Sequence, residues 1–292
     1  MTQPKIYDRG YRRYEGVRTG IPGAFKSLVL YSVRSSLGLG RSARHKIFPA
    51  AVILFAFMPA IVFVGVAALL PDELVTQESL LPSYSEYYNF VIADIFLFAG
   101  FVAPELLCTD RRTGMLGVYL TSPLTRTSYV LGKATATLLM VLTVTLAPPL
   151  VFLVARSLQN LGPDGFGEWM TTFGQILLSS VIVGGLYSAV ALAASSMTDR
   201  RAVASAATLV SIPGSAVITD FLVSGASFTP QLRLLNLLYL PRALVFRVYG
   251  ETSEGWSRID NPTASLWLAW IAVVVLSGAV VWFRYQRLLV RR

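Results

Sequence analysis

Few residues in this chain have the types and spacing for covalent chemistry. It holds one cysteine, Cys108, and one histidine, His45. That excludes an internal disulfide, a multi-cysteine metal site and the usual zinc or catalytic-histidine constellations. Gly132-Lys133 ends like a phosphate-cradling loop, but Ala134 follows where Ser or Thr is needed, and Thr127 stands where the first glycine should be. A nucleotide site in this chain is therefore not expected, nor is a catalytic or metal-ligating group. Two carboxylates stand out, Asp94 and Glu105, because each lies within an apolar run. Acids in such runs usually face protein or water. The third feature is cationic: "ELLCTDRRTGMLGVYLTSPLTRTSYVLGK", Glu105 to Lys133, sets Arg111, Arg112 and a short amphipathic stretch between two long apolar runs.

Those runs must position everything else. The chain is 54% hydrophobic and only 14% charged, whereas a soluble domain carries about a quarter charged residues. The deficit fits lipid as the solvent. Six runs are long enough to span a bilayer, near Ile47–Leu70, Tyr88–Cys108, Val130–Ala155, Met170–Met197, Ala202–Val223 and Ala264–Phe283. Residues 1–46 are polar and basic, which does not read as a secretory signal. The expected fold is an all-α integral membrane protein with a basic segment, 1–46, and a six-helix transmembrane domain, 47–292.

Placing both termini in the cytoplasm puts twenty of the twenty-five Lys and Arg on the inner side. Acids such as Asp72, Glu73, Glu78 and Glu86 then fall outside. This is the positive-inside pattern, so the net charge of +9 is a topology signal and nucleic acid is not an expected partner. The opening stretch becomes a cytosolic loop between spans two and three. Within it Thr113, Met115, Leu116, Tyr119 and Leu120 gather on one helical face, and Pro123 ends the helix. Such a helix could lie on the lipid surface or dock on a protein; residue spacing leaves both open. Lys133 is expected near the headgroups.

The loop resembles the first cytoplasmic loop of ABC-2-type permeases. The family pattern has an acid at the end of span two, matched by Glu105, and a basic-Thr/Ser-Gly segment, matched by Arg112-Thr113-Gly114. Leu120-Thr121-Ser122-Pro123-Leu124-Thr125-Arg126 and Tyr129-Val130-Leu131-Gly132-Lys133 follow in the same order and spacing. The start, "IYDRGYRRYEGVRTG", is similar to the cytoplasmic start of one subgroup. The resemblance implies that Arg111, Arg112, Thr113, Gly114, Met115, Leu116, Tyr119 and Leu120 form a coupling helix. That helix would dock on a separate ATP-binding cassette ATPase, which itself binds ATP and Mg. It further implies a permease dimer, with a second copy or a related chain, that exports a hydrophobic or amphiphilic substrate across the cell membrane. A self-contained proton-coupled secondary transporter or channel using Asp94 and Glu105 is the alternative; that class often shows inverted repeats, and no convincing repeat is visible.

Other segments fit this frame. Tyr7, Arg9, Tyr11, Arg12, Arg13 and Tyr14 interleave aromatic and basic residues, a pattern for contact with membrane lipids or the ATPase. From Pro22 to Gly38 and Gly40, a half-apolar helix with Phe25, Leu28, Val29, Ser32 and Ser36 should lie in the interface before span one. Glu105 should pair with a base of the loop or N-terminal segment. Pro213 should interrupt span five and shape either the transport path or the packing. Trp267, Trp270, Trp282 and Tyr285 suit interfacial belts on span six, and Gly185, Ala189 and Ala193 suit close helix packing. "FTPQLRLLNLLYLPRALVFRVYGE" is punctuated by Arg233, Pro241, Arg242 and Arg247. It reads as short re-entrant or interfacial helices before span six.

Overall fold

A computed structural model describes residues 16, 20–40, 42–69, 81–251 and 261–287. The candidate residues Tyr7 through Tyr14 lie outside these. Every regular element among the described residues is helical. They are α1 (Gly20–Ser36), α2 (Arg44–Leu69), α3 (Tyr84–Arg112), α4 (Met115–Thr121), α5 (Arg126–Thr145), α6 (Ala147–Leu158), α7 (Gly165–Met197), α8 (Arg201–Asp220), α9 (Tyr239–Tyr249) and α10 (Thr263–Arg287). Six stretches are long and apolar enough to cross a membrane: Lys46–Leu69, Tyr84–Arg112, Arg126–Leu158, Gly165–Met197, Arg201–Gly225 and Thr263–Arg287. The protein is an all-α membrane protein with six crossings.

α3 and α7 form the centre, packed on each other and on α5, α8 and α10. Tyr87, Tyr88, Val91, Ile95 and Phe98 of α3 meet Ile182, Val183, Leu186 and Tyr187 of α7 in one buried cluster. α2, α8 and α10 keep broad apolar faces outward, as helices do where lipid or a second subunit is the neighbour. α1 lies across α5, burying Leu28, Val29, Ser32 and Ser36, the apolar face read from the sequence. Its close approach depends on Gly132, where a Cβ would meet Leu28 Cδ2 at 2.7 Å.

The third crossing is broken at Leu146, between α5 and α6. Pro148 and Pro149 follow and donate no backbone hydrogen bond, which leaves carbonyls free inside an apolar bundle. Ser180 of α7 donates its hydroxyl to Thr145 O at 2.9 Å and so replaces the bond that Pro149 cannot make. Tyr88 joins this patch, with its hydroxyl 3.0 Å from both Ser180 Oγ and Ile176 O. Polar groups at membrane depth survive only with such internal partners.

Two expectations need correction on span six. Trp270 is not at an interfacial belt: Gly185 leaves room for its ring at 3.3 Å, and its Nε1 donates to Ile182 O at 2.9 Å. Tyr285 is buried, whereas Trp282 is exposed as a belt residue would be. The small residues of α7 therefore admit a large ring from α10. On span five, α8 runs through Pro213 as a helix, and the irregular π-helical turn comes later, at Phe221–Gly225.

After span five come a short 3-10 segment, Pro230–Leu235, and α9. Eleven residues reach only about 16 Å, too short to cross. Asn236 starts α9 by accepting from the amides of Leu238 and Tyr239, both at 2.9 Å. Glu251, just beyond α9, accepts from Ser83 and Ser85 at the start of α3. The start of α3 and the end of α9 are thus stitched together.

Gly132→Val should lift α1 from α5 and lower stability by about 1–3 kcal/mol. Gly174→Val, at a site with nothing within 4 Å, should not. Thermal unfolding of the two variants in detergent compares them.

Candidate coupling surface

The loop between spans two and three is built from local rules. α3 ends with Arg111 and Arg112, and the amide of Thr113 still bonds to Thr109 O at 2.9 Å. Gly114 then takes φ +73° with open space around it, so the backbone turn itself, not crowding, calls for glycine. α4 follows at once. Thr121 and Ser122 fold their hydroxyls back on Val118 O and Tyr119 O, Pro123 stops the helix, and Thr125 caps α5 by accepting from Ser128 N at 3.1 Å.

Behind α4 lies a buried ionic and aromatic cluster. Lys133 Nζ is 2.7 Å from Asp110 Oδ2, with side chains only 3% and 11% exposed. Tyr129 donates its hydroxyl to the same oxygen at 2.8 Å. Lys133 lies 5.5 Å from the Tyr119 ring and 5.7 Å from the Tyr129 ring, and Tyr129 packs on Tyr285 of α10. Burial, with Asp110 and Tyr31 nearby, pushes the Tyr119 hydroxyl above its ordinary pKa. Lys133 is therefore not a headgroup residue. It falls four residues after Tyr129, so both point from α5 toward α3, and Asp110 supplies the partner that a buried ammonium needs.

Three arginines fasten this cluster to the rest of the bundle. Arg111 Nη1 donates to Ser196 O at 2.8 Å and Thr198 O at 3.0 Å, at the C-terminal end of α7. Arg126 Nη1 donates to Gln286 O at 2.5 Å, near the end of α10. Arg201, at the start of α8, pairs with Glu105. Glu105 thus meets span five: one turn later Cys108 lies against Ser195 O and Thr198 O, at the α7–α8 connection. Cations at helix C-termini meet unpaired carbonyls and the negative end of the helix dipole. Spans four and six are therefore tied to the ends of this loop, and span five to span two a turn above it.

The outward face of the loop is what remains. Arg112, Thr113, Gly114, Val118, Thr121 and Pro123 are exposed, and Val118 is 59% exposed. Met115 and Leu120 are half-buried, while Leu116 and Tyr119 pack against the core. Of the residues singled out by spacing, Arg112 to Met115 reach the surface, and Arg111, Leu116 and Tyr119 support it from within. Val118 was missed because periodicity marks an apolar face without saying which side of the helix the bundle occupies.

Asp94 begins its eleventh residue of α3, about 15 Å along the helix, deeper than its place in the apolar run suggested. It shares a face with Phe90 and Phe101, which contact Phe63 and Phe48 of α2. Gly100, on another face, meets Leu209 and Thr208 of α8. Asp94 is thus turned toward span one, whereas Pro213 lies on span five; the structure does not bring Asp94, Glu105 and Pro213 together.

A family model described as ABC-2 family transporter protein matches residues 65–283, from the last turns of α2 almost to the end of α10. This chain belongs to that family. It is the transmembrane permease component of an ATP-binding cassette transporter and a multi-pass membrane protein. The alternative of a self-contained proton-coupled transporter loses its ground with that membership. A comparison with curated proteins returns no match.

Removing one member of the buried pair should leave the other charge uncompensated and cost about 3–5 kcal/mol. Asp110→Asn and Lys133→Met alone should each unfold earlier on heating, and the double variant should recover most of the loss.

Proposed function

We propose that this permease receives mechanical work from a separate ATP-binding cassette ATPase through the outward face of α4, and uses it to export an amphiphilic substrate. The observation that carries this reading is the asymmetry of the loop. Its outer side offers Arg112, Thr113, Gly114, Met115 and Val118 to a partner. Its inner side, through Arg111, Leu116, Tyr119 and Arg126, is held against Asp110, Lys133 and the ends of α7 and α10. A helix displaced by a partner would drag the ends of spans four and six with it. Val118 and Met115 suit an apolar groove, and Arg112 an acidic rim.

The partner ATPase binds ATP and Mg and does the hydrolysis. The basic segment, residues 1–46, adds contact with the ATPase or with lipid through Tyr7, Arg9, Tyr11, Arg12, Arg13 and Tyr14, and residues 47–292 form the transmembrane domain. Both termini lie on the cytoplasmic side of the cell membrane. A second copy, or a related permease, completes the path. Val203, Val210 and Val217, spaced by seven along α8 and each at least half exposed, suit that contact, with α3 and Pro213 beside it. The outward direction of transport rests on the family likeness.

Val118→Asp combined with Arg112→Glu should reduce ATPase stimulation by this subunit at least tenfold in the reconstituted complex, with thermal stability unchanged. These positions are exposed, so the outcome is not confused with loss of the buried cluster, as Tyr119→Asp would be. Cysteine placed at Thr113 should react with an impermeant maleimide only from the cytoplasmic side. Undiminished stimulation, or labelling from outside, would refute the reading.

A further inference from the structure

At the outer end of the bundle a cavity of 170 Å³ opens between α3, α8, the 3-10 segment and α9. Six of its nine lining residues carry polar or charged side chains. Arg233 and Arg242 line it, together with Asp220, Asn89 and Ala216. Two of its polar groups, Arg242 Nε and Asn89 Oδ1, are buried and lack a hydrogen-bond partner among the described residues. One is a donor and the other an acceptor, and each costs about 1–3 kcal/mol if left unmatched. Burial also holds the Arg242 guanidinium below its ordinary pKa, partly offset by Glu86. Glu86 itself accepts from Ser83 N at 3.0 Å, at the start of α3.

A ligand that satisfies this set must carry both signs. The guanidinium groups of Arg233 and Arg242 match the paired oxygens of a phosphate. Asp220 and the Asn89 oxygen, which only accepts, call for N–H donors beside it. The volume is below that of a site for a whole drug-sized molecule, so a headgroup fits and hydrocarbon tails must stay in the bilayer. The cavity also lies where α3 meets α8, beside the face of α8 proposed to meet the second copy.

We infer that this cavity is the outer headgroup site for the transported amphiphile, and that it takes a zwitterionic head bearing a phosphate and a primary amine. The assignment of this headgroup to cargo rests on the transport reading above; its binding does not. A quaternary amine has no N–H to offer Asn89 and Asp220, and a phosphate without an amine leaves Asp220 unmatched. Among phospholipid heads the site therefore ranks phosphoethanolamine first.

The test is calorimetric titration of the purified full chain, in a non-ionic detergent, with dihexanoyl phosphatidylethanolamine, phosphatidylcholine and phosphatidylglycerol. The ethanolamine lipid should bind saturably, and at least fivefold more tightly than the other two. Arg242→Gln should weaken it at least tenfold. Ala216→Phe should do the same by filling the cavity while keeping every charge, which separates site loss from misfolding of a buried-arginine variant. Asp220→Asn should abolish the preference for ethanolamine over choline. Absence of saturable binding, equal affinity for the three lipids, or wild-type affinity in Ala216→Phe would overturn the site. ATPase stimulation measured on the same preparations separates the two readings: a lost headgroup site with stimulation intact leaves the coupling assignment standing, and saturable binding with stimulation unaffected by the α4 substitutions does the reverse.

Discussion

The architecture around the loop between spans two and three depends on one buried ion pair, Asp110 with Lys133. Two charges withdrawn from water are unfavourable unless their geometry is good and their remaining valences are met. Here Tyr129 gives a further hydrogen bond to the carboxylate, and the faces of Tyr119 and Tyr129 lie close to the ammonium. The pair joins the last turns of span two to the first turns of span three. The loop between them therefore has both its ends held, and α4 is a rigid projection rather than a strap.

Rigidity matters because work can pass only through parts that move together. The three arginine ties differ from the central pair in kind. Arg111 and Arg126 bind backbone carbonyls at helix ends, and Arg201, about half exposed, bonds to Glu105. Carbonyl contacts at a helix terminus can shift by one residue without stranding a charge in the core. The pair of Asp110 and Lys133 cannot. This gives the cytosolic face a firm hub and adjustable links to spans four, five and six. A permease that must change shape without losing its loop has need of both.

Polar groups elsewhere in the bundle follow the same logic of internal satisfaction. Pro148 and Pro149 break the third crossing, and Ser180 answers for the carbonyl they release. Trp270 enters α7 only at Gly185 and finds Ile182 O for its indole nitrogen. At the cavity lined by Asn89 and Arg242, a buried acceptor and a buried donor both lack a partner among the described residues.

Much of this was legible from composition and order alone. The six apolar runs, the helix at Met115 ended by Pro123, and the apolar face of α1 all appear as written, because each depends on neighbours in the chain or on the solvent around it. What needed the fold was direction. Spacing grouped Leu116 with Met115 and Tyr119 but did not say that the bundle would cover part of that face and leave Val118 outside. A lysine at the start of a crossing looks like a headgroup anchor until Asp110, twenty-three residues earlier, is seen beside it. Glu105 meets Arg201, and Trp270 meets Gly185, across gaps of more than eighty residues. The chain by itself determined which segments are long and apolar enough to enter the membrane, since hydropathy acts residue by residue. Only the tertiary structure decided which buried charges find each other, because helix rotation and packing set those meetings and no local pattern records them.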